Sequence, residues 1–185
     1  MKIFFKYIIV LCLLMSYQCS NIDKQDTRNI TGTYLWKYPT EFAGTSNEDN
    51  WIIIQKVNNK FEGLYYGTTD EFDKAREGYL PGYCVLNMEE LRIDGDTIRF
   101  ILSPKINDFF NEYIDISIKS SQDAVKKGYT HWSNFDHFPF KTPKNYQGLL
   151  IDSSTIFFEE DSYNGMSEKK FIKEAQYNPS AKPLY

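Results

Sequence analysis

Residues 91–100 read LRIDGDTIRF and residues 149–158 read LLIDSSTIFF. Both follow L-x-I-D-x-x-T-I-x-F, six matches in ten positions. In each, apolar and β-branched residues flank a short polar centre, which is the pattern of two strands joined by a tight turn. A two-residue turn at Gly95–Asp96 sets Ile93 opposite Ile98 and Leu91 opposite Phe100. A turn at Ser153–Ser154 sets Ile151 opposite Ile156 and Leu149 opposite Phe158. Opposed residues share a face because side chains alternate along a strand. Each segment is therefore expected to bury one apolar face, with Arg99 on the opposite side. A tighter turn at Asp94–Gly95 would oppose Ile93 to Asp96 and is set aside.

The same texture extends outward along the chain. Short runs of β-branched and aromatic residues separated by Gly, Asn, Asp and Ser predict strands at Thr33–Lys37, Trp51–Val57, Phe61–Thr68, Tyr83–Leu86, Glu90–Asp94, Thr97–Ser103, Tyr113–Lys119, Tyr146–Ile151, Thr155–Glu159 and Lys170–Glu174. Helix is expected in three short places: Asp70–Glu77 capped by Thr69, a first turn from Pro104 to Asn111, and Ser121–Lys127 closed by Gly128. Ten short strands joined by turns point to an all-β fold, a single antiparallel barrel or sandwich. The composition agrees. At 42% hydrophobic and 17% aromatic, the 185 residues are too apolar for a disordered or fibrous chain. A net charge of −4 lacks the basic footprint of a nucleic-acid binder.

Lys2 and Lys6 precede an apolar run from Tyr7 to Met15, which is short for a membrane span and fits a signal peptide over residues 1–18. Cys19 follows the run directly and resembles the lipidated cysteine of a bacterial lipoprotein, with Gln18 before it. That resemblance implies a mature chain beginning at Cys19, a palmitate-type anchor and a place in the bacterial cell envelope. Removing residues 1–18 takes two lysines and no acid, leaving 19 basic against 25 acidic side chains, a net charge of −6. Cys84 then has no partner for a disulfide, and its apolar neighbours suit a small buried side chain. Residues 19–30 read as a polar tether, 31–175 as the domain and 176–185 as a loose tail.

The domain opens on Ile30-Thr-Gly32-Thr-Tyr34-Leu-Trp36, and Glu62-Gly63-Leu-Tyr65-Tyr-Gly67 and Tyr146-Gln-Gly148-Leu follow. These pieces resemble strands of calycins, the lipocalins and fatty-acid-binding proteins, whose first strand carries G-x-W. Tyr34 stands at the tryptophan position. The resemblance implies an up-and-down barrel, and in lipocalins an arginine near the last strand packs over the tryptophan. Lys169, Lys170 and Lys173 stand there, where lipocalins have arginine.

Catalytic signatures are scarce. His131, His137 and Asp136 lie in HWSNFDHFPF, whose spacing matches no zinc pattern and reads as an aromatic loop over one barrel end. The acids Asp70, Glu71, Asp73 and Glu77, and Glu159, Glu160 and Asp161, read as solvated faces rather than a glycosidase pair. There is no G-x-S-x-G elbow and no phosphate-cradling glycine loop. The expectation is a non-enzymatic binding protein without metal or cofactor. It holds a small apolar or amphipathic ligand in or at the mouth of the barrel, lined by Tyr34, Trp36 and Tyr65. The other reading is a solid-cored module that engages or inhibits an envelope protein. Interior volume separates the two.

Overall fold

The computed structural model describes residues 29–38, 49–68, 72–73, 78–79, 82–132, 143–162 and 165–174. Within them the alternating runs are extended: β1 (Gly32–Trp36), β2 (Asn50–Val57), β3 (Lys60–Thr68), β4 (Phe72–Asp73), β5 (Gly78–Tyr79), β6 (Tyr83–Asn87), β7 (Glu89–Asp94), β8 (Thr97–Leu102), β9 (Phe109–Phe110), β10 (Lys144–Leu150), β11 (Thr155–Ser162) and β12 (Gly165–Lys173). The described chain is thus mostly antiparallel sheet. Its one α-helix, α1 (Ser121–Lys126), is capped by Ser120, whose side chain accepts from the Asp123 amide. Lipidation of Cys19, the signal peptide and the tail 176–185 lie outside the described residues.

Ten strands form one sheet in the order β7-β8-β10-β11-β12-β1-β2-β3-β6-β9, and β4 pairs separately with β5. The first long strand meets the last, Tyr34 opposite Lys173 and Leu35 opposite Ile172. No ladder joins the edge strands β7 and β9. Yet β6 and β7 are separated by Met88 alone, and the Met88 amide donates to the Gly63 carbonyl of β3 at 2.9 Å. Glu90 takes a left-handed φ of 52°, and the register against β8 shifts between Glu89 and Arg92. This bulge lets one run pair with β3 in its first half and β8 in its second.

Three elements differ from expectation. Tyr113–Lys119 pairs with no strand: Asp115 turns the chain, accepting from the Ser117 amide on its side chain and the Ile118 amide on its carbonyl. Pro104–Asn111 contributes only a 3-10 turn, Ile106–Asp108, before Phe109 and Phe110 pair with Cys84 and Tyr83. Phe72 and Asp73, expected in a helix, pair with Tyr79 and Gly78; residues 69–71 and 74–77 lie outside the described residues.

The second hairpin also departs from expectation. In the first, Ile93 faces Ile98 as expected. In the second, Leu150 faces Ile156 and Gly148 faces Phe158, so the register is one residue from that expected. A three-residue loop, Asp152–Ser154, closes the hairpin, with the Ile151 amide on the Thr155 carbonyl at 3.0 Å. Asp152 accepts from the amide and hydroxyl of Ser154, both at 2.7 Å. Gly148 suits the result: a Cβ there would stand 2.6 Å from the Phe158 ring. A one-residue slip reverses the faces. Leu150 is buried, while Leu149 and Ile151 are exposed.

The inner face gathers Tyr34, Ile52, Ile54, Tyr65, Leu86, Ile98, Phe100, Ile156, Phe158 and Phe171 in one cluster, with Cys84 buried among them and its thiol donating to the Gly67 carbonyl at 3.5 Å. On the outer face of β2, β3 and β6 a second cluster forms where residues 109–129 return across the sheet. Tyr66 donates there to the carbonyls of Ile116 and Ile118. Because neighbouring strands are antiparallel, connections alternate between two ends. One end carries the short turns at 58–59, 95–96 and 152–154, with Asn29 and Glu174. At the other, β1, β3 and β8 end and β2, β6 and β10 begin, joined in sequence through the longer stretches 37–49, 69–82 and 103–143.

Candidate functional site

Trp36 ends β1 and Asn50 begins β2, so the two are paired at the loop-bearing end. On β12 the inward alternation that buries Phe171 also turns Lys169 inward, and Lys169 is only 6% exposed. Its ammonium donates to Asn50 Oδ1 at 3.0 Å, and Tyr65 Oη donates to the same oxygen at 3.1 Å. The ammonium also sits 4.7 Å from the centroid of the Trp36 ring. A buried charge requires compensation, to which the amide oxygen and the ring face contribute. Behind this group lies a cavity of about 10 Å³, lined by Ile52, Tyr65, Phe100, Tyr146, Phe158, Lys169 and Phe171. It has room for about one water. Tyr146 stacks on Phe100 at 5.0 Å and fills the space beside it.

The expected lining residues therefore separate. Trp36 and Tyr65 meet at the loop-bearing end around Asn50. Tyr34 faces inward at the opposite end, where its hydroxyl donates to the Ile30 carbonyl at 2.7 Å and lies 3.4 Å from that of Ser153. Burial, reinforced by the negative charge of Asp152, pushes its phenol up to about 12. Lys173 holds its ammonium 5.7 Å from the Tyr34 ring and donates to the Asn29 carbonyl at 2.7 Å. Gly32, at φ 144°, lies beneath it; a Cβ there would stand 2.6 Å from Lys173 Cε. The two inward lysines of β12 thus cover the two inward rings of β1, one at each end.

Lys169 was legible as a residue near the last strand but not as the buried partner of Asn50. The signal is the alternation Lys169, Phe171, Lys173, which places all three on one face. Asn50 carried none, being one of several polar residues before the Trp51 strand. Trp132 belongs to the inner cluster, its amide on the Phe109 carbonyl at 2.8 Å. His131 is exposed and stacks on Phe110 at 5.0 Å. Asp136 and His137 lie outside the described residues. Among the described residues no three His, Cys, Asp or Glu side chains gather as a metal site, and no helix is long and apolar enough to cross a membrane. No family model, curated protein or solved structure matches the chain.

Proposed function

We propose that this chain is a non-enzymatic binding protein of the bacterial cell envelope, tethered through lipidated Cys19, and that its sheet works as a lipocalin-like up-and-down barrel. Strand order supports the barrel. With β6 and β7 taken as one kinked strand and β9 set aside, eight strands follow one another in chain order, and the last pairs with the first. Lys173 over Tyr34, with Gly32 beneath, supports the lipocalin likeness.

The ligand is a small amphipathic molecule taken at the loop-bearing mouth. The observation that carries this reading is Lys169, an ammonium buried beneath that end among Trp36, Tyr65 and Asn50. It favours an anionic head group, with the apolar part of the ligand among the aromatic rings. The 10 Å³ cavity beside Lys169 is too small for an alkyl chain, which supports a ligand at the mouth over one deep inside. The same small cavity favours the second reading, a solid-cored module that engages an envelope protein through its loops.

Titration of the protein with an alkyl carboxylate and an alkyl trimethylammonium of equal chain length separates these readings. The first predicts a change in tryptophan emission with the carboxylate, at about micromolar affinity, and a much weaker response from Lys169→Met. No response to either amphiphile, in a protein that remains folded, moves the assignment to the protein partner.

A further inference from the structure

The one-residue slip of the second hairpin places apolar side chains on the outer face. Leu149 is 48% exposed, Ile151 61% and Ile172 43%. They are contiguous. Leu149 stands opposite the half-buried Phe157, and Ile172 stands opposite Thr155, whose carbonyl holds the Ile151 amide. Isolated exposed aliphatics need no explanation, but a clustered patch marks a contact surface. Its place in the fold identifies the contact. The Lys173 amide donates to the Ser154 carbonyl at 2.7 Å, and the Lys173 ammonium to the Asn29 carbonyl at 2.7 Å. The patch therefore lies beside the point where the described chain begins. Cys19 stands ten residues upstream of Asn29, and ten extended residues span at most about 35 Å.

We propose that Leu149, Ile151, Phe157 and Ile172 form a membrane-docking surface that inserts shallowly into the headgroup boundary of the bilayer holding the anchor. The proposal rests on the tether reading above. The charged groups around the patch lean acidic, Asp94, Asp96, Asp152 and Glu174 against Lys170, which stands opposite Phe157, and Arg99, which pairs with Asp94. Apolar burial rather than attraction to anionic lipid then drives docking, and it fixes the orientation of the domain. The loop-bearing end, with Lys169, is held away from the surface.

The test uses the full lipidated chain in zwitterionic liposomes, with a nitroxide on Ile151→Cys or, as control, on Gln122→Cys, an exposed residue of α1. Docking predicts that the label at 151 collides several-fold more with oxygen than with an aqueous nickel complex, while the label at 122 shows the reverse. Aqueous behaviour at both positions, in protein that stays with the liposomes, overturns docking and leaves the tether intact. Dipolar broadening between labels at 151 would assign the patch to a second copy and overturn docking as well. Absence of an acyl mass on Cys19, with protein that fails to sediment with liposomes, overturns the tether and the docking together.

Discussion

At the scale of single residues, β12 does two tasks with lysines at alternate inward positions. Lys173 closes the short-turn end with Tyr34, and Lys169 stands with Trp36 and Asn50 at the other. The environment of Tyr34 has a measurable consequence. A phenol raised by burial from 10.0 to about 12 keeps its proton in the folded state after the unfolded state has lost it. Its contribution is complete below pH 10 and falls as pH rises toward 12. Urea midpoints measured from pH 8 to 12 should drop for the wild type, and Tyr34→Phe should be less stable at neutral pH but lose less across that window. Parallel curves would place the alkaline loss on other groups. Tyr34 was legible as an inward residue of the first strand, by alternation with Trp36. The sequence could not announce that Asn50 would receive both Lys169 and Tyr65, because that meeting depends on three strands distant in sequence.

At the scale of elements, the nine strands of five or more residues were legible, because alternation of large apolar residues is a local property of the chain, whereas the two-residue strands β4, β5 and β9 were not. Register was less legible. Two segments sharing six of ten residues fold one residue apart, since Asp152 organises a three-residue loop and Gly148 leaves space for Phe158. The extended reading of Tyr113–Lys119 failed for a similar reason: its isoleucines alternate, but Asp115 turns the backbone before a ladder can form. Substitutions read the register directly. Phe100→Ala and Phe158→Ala should each cost about 3–5 kcal/mol and Leu150→Ala about 2–5 kcal/mol. Arg99→Ala and Leu149→Ala should stay within about 0.5 kcal/mol. Denaturant titrations giving Leu149 the larger loss than Leu150 would restore the two-residue turn.

At the scale of the molecule, the question is whether the sheet behaves as a ring. The kink at Met88 and Glu90 was not legible in the sequence, because it depends on a residue, Glu90, in a conformation its side chain does not favour. If β6 and β7 are one strand bridging β3 and β8, the Met88 amide, bonded to Gly63, should exchange with solvent as slowly as the amides of β2 and β3. Exchange at the rate of the 95–96 turn would mean that the sheet opens there. The short turns, Asn29 and Glu174 stand at one end of the strands, and Lys169 lies at the other, beside Trp36 and Asn50. Native mass spectrometry of the full chain extracted from its own membrane tests the binding role most directly. The account predicts a small anionic amphiphile retained by the wild type and lost from Lys169→Met, with both proteins folded. Wild-type protein carrying no small molecule, or the same molecule retained equally by Lys169→Met, would contradict it.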